Sequence, residues 1–266
     1  ETFGLGFVAH VGWDPVHLRF GAGSFLFGTA VTSLGALLLA APLALGIALF
    51  LSELAPRWLR GPVTALVETL AAVPSVVVGL WGILVLGPFL RDHIDPTLHA
   101  ALGGIPLFGP ATVGSNLFTA MVVLAIMILP IVASVSRELF LAVPPELEEG
   151  ALALGATRWE MVRGVVLPYT RAGVAAALVL GLGRALGESI AVAQTVGAFT
   201  GLGWNLFAPG NTLAAMLALN YQGASSGLEL SSLVYLALIL LVISVFANLT
   251  AQLVVRRTAR RHGGAA

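Results

Sequence analysis

The 266 residues are 58% hydrophobic and 10% charged, with zero formal net charge and a mean hydropathy of +0.97. A soluble domain carries about 25% charged residues, so this composition excludes one and indicates an integral membrane protein. The chain has neither cysteine nor lysine, which excludes disulfides, thiol chemistry and a phosphate-cradling P-loop of its own.

Residues 1–23 are semi-polar and glycine-rich, with Trp13 and Asp14-Pro15, and read as an extracytoplasmic lead-in segment. Five apolar runs follow, each reaching the ~20 residues that a spanning helix needs. They lie near Ser24–Leu51, Val63–Leu90, Leu117–Phe140, Ala172–Phe199 and Leu230–Val254. The runs are continuous rather than alternating, so helices are expected and not strands. The expected fold is an all-α polytopic helix bundle, one transmembrane domain over residues 1–266.

Arginine placement orients the bundle. Arg57, Arg60, Arg137, Arg158, Arg163, Arg171, Arg256, Arg257, Arg260 and Arg261 fall on one side, against Arg19 and Arg91 on the other. The positive-inside bias puts the segment 143–171 and the tail 255–266 in the cytoplasm, and residue 1 outside. An outside start at Glu1 leads us to expect a sixth helix before it, a topology refuted by a reporter at Glu1 found inside. The second run holds Pro74-Ser75, where proline frees a carbonyl that Ser75 is placed to help satisfy; a simple kink is the plain expectation. The loops 91–115 and 200–227 have turn chemistry, and Trp204 and Tyr221 suit interfacial anchoring. The five histidines show no metal-ligand spacing, and no hydrolase, nuclease or nucleic-acid-binding motif is present.

Between the third and fourth runs, Pro144 and Pro145 stop the apolar segment. Glu146, Glu148 and Glu149 then sit in the first turn of a new helix, which Gly155 ends in a left-handed conformation. Thr157 and Glu160 make a capping box for a second short helix, expected to stop near Leu167 with Pro168 as punctuation. These features suit a docking handle and an ordinary cytoplasmic loop equally well.

The fourth run carries Arg184 and Glu188. Arg184 lies twelve residues after Ala172 in the sequence, about 18 Å at the helical rise and beyond the midpoint of a ~30 Å core. Glu188, four residues on, is expected on the same helix face. Each charge costs about 2.5–3.5 kcal/mol at a helix centre, so the pair must face the bundle interior or a water-filled path. Arginine suits an oxyanion, because its rigid fork donates two hydrogen bonds and stays charged. The carboxylate suits the proton that phosphate, unlike sulfate, carries at neutral pH. An ion pair that only fixes helix packing fits the same residues. Gly183 and Gly187 form a GxxxG that permits close approach of a neighbour.

Glu149-Gly150-Ala151, Gly155, Val165 and Leu167-Pro168, at their spacing, resemble the EAA motif of ABC-importer permeases, with Gly150 where alanine is usual. The stretches FLFGTAVTSLGALLLAAPLALGIALFLSELAP, ETLAAVPSVVVGLWG and LGLGRALGESIAV narrow the resemblance to the phosphate-specific, PstC-type permeases, with Ser189 where threonine is typical. The resemblance covers nearly the whole chain. It implies a multi-pass subunit of the bacterial inner membrane that pairs with a homologous permease, two ATPase subunits and an extracytoplasmic phosphate-binding protein. It implies that Glu149, Gly150, Ala151, Gly155, Thr157, Glu160, Leu167 and Pro168 belong to the ATPase-coupling loop. Arg184, Glu188 and Ser75 would belong to the phosphate pathway, with Pro74-Ser75 as a break in a helix beside it. ATP and its magnesium would sit on the ATPase, leaving this chain with no cofactor and no covalent chemistry. A permease for sulfate or molybdate, the partner permease of the same system, or a self-sufficient secondary transporter or channel with Glu188 as proton site are the competing expectations.

Overall fold

A computed structural model describes residues 4–260. Residues 1–3 of the lead-in segment and 261–266 of the tail, including Arg261, lie outside the described residues. A short helix α1 (Leu5–Ala9) and a two-stranded hairpin, β1 (Trp13–Asp14) with β2 (Arg19–Phe20), precede the bundle. The hairpin is antiparallel, with Trp13 opposite Phe20 and Asp14 opposite Arg19. The helices that follow are α2 (Gly23–Leu54), α3 (Arg57–Ala72), α4 (Ser75–Leu102), α5 (Leu117–Leu141), α6 (Pro145–Ala153) and α7 (Arg158–Gly187). Then come α8 (Ile190–Thr195), α9 (Leu213–Asn220) and α10 (Gly227–Arg260). Five of them, α2, α4, α5, α7 and α10, are long and apolar enough to cross a membrane.

The most buried span, α5, is the hub on which α2, α3 and α7 pack. On α2, Ala36, Ala40, Ala44 and Ala48 recur every fourth residue and are all fully buried. This stripe of small side chains lets the α5 backbone approach closely. Gly28 lies against Leu117 and Gly35 against Met121, while Ala44 clusters with Val132 and Ala48 with Phe140, so α2 and α5 run in the same direction. In α7 the order is reversed: Gly173 lies against Leu139 and Gly181 against Val132.

Five spans agree with expectation, but the second and fourth differ at both ends. The second span is Ser75–Leu102 rather than Val63–Leu90, because the chain breaks at Val73-Pro74, both extended, and α3 is a separate helix. What reads as a turn-rich loop from Arg91 is helical to Leu102. The fourth span is Arg158–Gly187 rather than Ala172–Phe199. The short second helix of the handle therefore does not stop at Leu167-Pro168 but runs on into the span.

One device explains the last two differences. The π turns Gly82–Leu86, Leu90–Ile94 and Val162–Val166 each end two residues before a proline: Pro88, Pro96 and Pro168. In each, the next amide reaches back five residues: Gly87 to Gly82, Asp95 to Leu90, Leu167 to Val162. Widening the turn just ahead of the ring relieves its clash with the preceding turn, and at these three sites the helix runs on through the proline. At Pro56 the same kind of turn, Phe50–Leu54, closes α2 instead, because Ala55 is extended.

Candidate functional site

The break at Val73-Pro74 and a second one at Glu188-Ser189 define the site. Val73 and Pro74 are extended (ψ 128° and 137°), and so is Glu188 (φ −72°, ψ 118°). The two helices that restart, α4 and α8, pack side by side. A Cβ built on Gly79 would stand 2.8 Å from Ala191 Cα, and one on Gly82 would stand 2.8 Å from Thr195 Cγ2. Residue numbers rise together along the contact, so the two helices run parallel and their N-terminal ends lie on the same side.

Arg184 lies in α7, beside a cleft of about 330 Å³. Leu70 and Ala71 close the cleft from α3, Val73 from the break that follows it, Val77 and Trp81 from α4, and Ile126 and Met127 from α5. Ile126 and Met127 are near the middle of α5, so Arg184 stands at that depth although it is only three residues from the end of α7, not twelve residues into a span that starts at Ala172. The rest of the lining is apolar. Among the described residues Arg184 has no ion pair and no hydrogen bond, and it is exposed on the surface of this chain.

The expected pairing with Glu188 is not formed. The four-residue rule requires a continuous helix, and α7 ends at Gly187. Glu188 turns away and its Oε1 accepts from the Ala191 amide of α8 at 3.4 Å, a favourable place for a negative charge. Ser75 is the first residue of α4, between the cleft-lining Val73 and Val77, and its hydroxyl makes no hydrogen bond among the described residues. The Gly183/Gly187 pair divides: Gly183 faces Asn248 of α10, and Gly187 has nothing within 4 Å.

The handle follows its local chemistry. Gly155 has φ +87°, the left-handed value that glycine adopts without a steric penalty. The capping box is complete: Glu160 Oε2 accepts from the Thr157 amide at 2.7 Å, and Thr157 Oγ1 accepts from the Glu160 amide at 3.3 Å. Phe140, Val143, Met161, Val162 and Val166 bury the base of the handle against Ala48 of α2. Arg158 Nη1 donates to the Glu53 carbonyl at 3.2 Å. Glu149 and Gly150 lie on the open face, as do Leu154 and Trp159, which are 91% and 65% exposed. Ala151, Leu167 and Pro168 are on the packed side; Ala151 and Leu167 join the cluster at the base. Burial, and secondarily the Glu53 carboxylate, holds the Glu148 carboxyl above its usual range.

Two polar groups that sequence reasoning passed over are buried here. Asp95 and Asn116 are both 0% exposed, and Asn116 Nδ2 donates to Asp95 Oδ2 at 3.3 Å. Asn116 also caps α5 through the Thr119 amide at 2.8 Å, so the pair ties the end of α4 to the start of α5. Gln194 Oε1 is buried at the α4–α8 contact with no partner among the described residues. An aspartate inside an apolar helix was the available signal for the first; nothing local marked the second.

Residues 41–260 match the family described as binding-protein-dependent transport system inner membrane component. The phosphate transport system permease protein PstC of Pasteurella multocida is 44% identical over 99% of this chain and 83% of its own length. Its counterpart in Haemophilus influenzae is 43% identical over 99% and 84%. PstC 2 of Mycobacterium tuberculosis is 46% identical over 90% and 75%. Among solved structures, an inward-facing MetNI methionine ABC transporter aligns with TM-score 0.63 at 18% identity, covering 88% of this chain and 94% of that one. A bacterial alginate ABC transporter in complex with its pentasaccharide-bound periplasmic protein aligns with TM-score 0.60 at 20% identity, covering 94% and 86%. At these identities the structural likeness speaks for the fold.

Proposed function

The chain belongs to the family of binding-protein-dependent transport system inner membrane components and, within it, to the phosphate permeases, and we propose that it carries inorganic phosphate through the membrane at Arg184. It is a multi-pass inner-membrane subunit of an ABC transporter and not an enzyme. One observation carries the reading: a single guanidinium, unpaired among the described residues, stands at the depth of the α5 midpoint beside an otherwise apolar cleft. A charge there costs a few kcal/mol unless water or a counter-ion meets it. A phosphate oxyanion is the counter-ion that suits the fork. The N-terminal end of α4, a 28-residue helix, adds its dipole on the same side, with Ser75 at its first turn. Glu188, held at the start of α8, is the acceptor for the proton that phosphate carries.

The partners follow from the same reading. A homologous permease completes the pathway across the exposed face that bears Arg184. Two ATPase subunits, which hold ATP and magnesium, dock on the open face of α6 and its turn, where Glu149, Gly150, Leu154 and Trp159 are exposed. An extracytoplasmic phosphate-binding protein delivers substrate at the opposite end. The C-terminus lies in the cytoplasm with the handle, in line with the arginine bias. ATP-driven closure of the ATPases moves the handle, and because α7 is one helix from Arg158 to Gly187, that motion reaches Arg184 directly.

The test is ATP-dependent phosphate uptake in vesicles carrying the assembled complex, wild type against Arg184→Gln, with assembly checked in the same preparation. Loss of uptake with the complex intact is expected. Undiminished uptake would make Arg184 a packing residue and defeat the pathway assignment. Sulfate or molybdate carried in preference to phosphate would move the substrate. Transport by this chain alone in liposomes would restore the secondary-transporter alternative.

A further inference from the structure

A second cleft of about 300 Å³ lies further along the same groove, between α2, α3 and α5. Thr64 and Glu68 reach it from α3, Arg137 and Glu138 from α5. Because Leu70 and Ala71 meet Ile126 and Met127 at the Arg184 cleft, while Val67 meets Val132 and Ala133, α3 and α5 run antiparallel. The groove between them therefore leads from Arg184 toward the handle, and Arg137 stands about 15 Å beyond Met127 at the helical rise.

The polar groups in this second cleft are incompletely satisfied. Thr64 Oγ1 and Arg137 Nε are buried, and neither has a hydrogen-bond partner among the described residues. The Arg137 side chain is 20% exposed, and its Nη1 is engaged by the Glu138 carboxylate, which leaves the Nε edge of the fork unused. A buried donor left without a partner is costly, and a charged one more so. Both residues line this one cleft, Thr64 from α3 and Arg137 from α5, and its volume is ample for a small oxyanion.

We propose that Thr64 and Arg137 form a second phosphate-binding station at the handle end of the pathway, the last one before release. The inference rests on reading the chain as an oxyanion permease. Arg137 Nε–H and the Thr64 hydroxyl donate to phosphate oxygens, and Glu138 holds the guanidinium in register through Nη1. Glu68 accepts the proton of hydrogen phosphate; fully deprotonated sulfate has none to give and meets only repulsion there. Two carboxylates beside one guanidinium keep the binding weak, which is what an exit requires, since a transported ion must leave as readily as it arrives.

A station open to the cytoplasmic side is reached by phosphate already inside, so internal phosphate competes with the arriving ion. The experiment measures initial uptake of labelled phosphate by the reconstituted complex, with ATP trapped inside and internal phosphate raised from micromolar to millimolar. Wild-type uptake is expected to fall as internal phosphate rises. Arg137→Gln is expected to raise the half-inhibiting internal concentration about tenfold or more, the worth of a charge-assisted hydrogen bond, and Thr64→Val about fivefold. The external concentration for half-maximal uptake stays within about twofold in both, because binding from outside occurs upstream. Variants with wild-type sensitivity to internal phosphate overturn the station and leave Arg184 untouched. So does an Arg137→Gln complex that fails to assemble beside a Thr64→Val complex with unchanged sensitivity, for the unpaired groups then serve a subunit contact. A wild type that carries no phosphate at all removes both readings together.

Discussion

Gly79 rests directly on the backbone of Ala191: a Cβ added to it would stand 2.8 Å from Ala191 Cα and would also run into Gln194 Oε1. This contact joins the two helices that restart after the breaks, α4 and α8, and so sets the shape of the Arg184 cleft. A glutamine tip has room to swing aside, but backbone does not. Gly79→Ala is expected to force the helices apart at a cost of about 1–3 kcal/mol, the usual range for an overfilled core site. A thermal melt of the purified complex reads the cost, and phosphate uptake should fall with it. An unchanged melting temperature would mean that α8 moves freely against α4.

Glu188 and Arg184 make separate contacts, so the two charges have separable effects. Glu188→Gln leaves the capping of the Ala191 amide possible and should change stability by no more than about 0.5 kcal/mol. Its effect belongs in selectivity: the preference for phosphate over sulfate is expected to drop, because a neutral amide no longer repels fully deprotonated sulfate and is a weaker acceptor for the proton of phosphate. Competition of sulfate against labelled phosphate uptake measures it, and an unaltered preference would remove Glu188 from the pathway.

The capping box at the root of α7 is expected to govern how firmly the handle is held. Thr157→Ala removes the hydroxyl that receives the Glu160 amide, at about 1 kcal/mol. Hydrogen exchange of the amides of residues 158–161 should accelerate about fivefold, the equivalent of that cost. Binding-protein-stimulated ATP hydrolysis should weaken in step, since a frayed root transmits less motion. Exchange rates that match wild type would show that packing of Met161 and Val162 alone holds the turn.

Glu148 gives the handle a pH dependence of known sign. Its folded-state value is raised above the ordinary 4.5 by burial first and by Glu53 second. Above the raised value the carboxylate is charged in folded and unfolded chains alike, and the folded handle bears the penalty. As pH falls through the raised value, the folded form takes up its proton first, so local stability rises and levels off below 4.5. Exchange across residues 145–153, corrected for its intrinsic pH dependence, is expected to slow on acidification from neutral pH. Glu148→Gln should abolish that response, and a persisting one would assign it to another group.

The legible features were those that depend on neighbours in the chain. Thr157 with Glu160, or Gly155 by itself, specified the handle turn by local hydrogen bonding and backbone freedom. Arg184 was conspicuous because a charge in an apolar run has no local excuse. Its place beside a cleft near the α5 midpoint comes from the packing, since the count of residues started from Ala172 and the span starts at Arg158.

The illegible features depend on what a helix end meets in space. Pro168 read as a stop and the stretch from Arg91 as a turn-rich loop, yet Pro168, Pro88 and Pro96 each continue a helix after the π turn that precedes them. Pro74, which its residues suggested as a kink and the resemblance as a break, is a full break: Val73 and Pro74 are both extended, and the restarted helix lies with Gly79 on Ala191. The same dependence separated Glu188 from Arg184, since a four-residue spacing means adjacency only where the helix is unbroken. Thr64 and Arg137 were brought together by the antiparallel packing of α3 on α5, which no local pattern encodes. Composition, apolar run length and turn chemistry thus determined a five-span permease bundle with a polar handle. Tertiary packing decided where its helices break, and therefore which charges face one another across the groove.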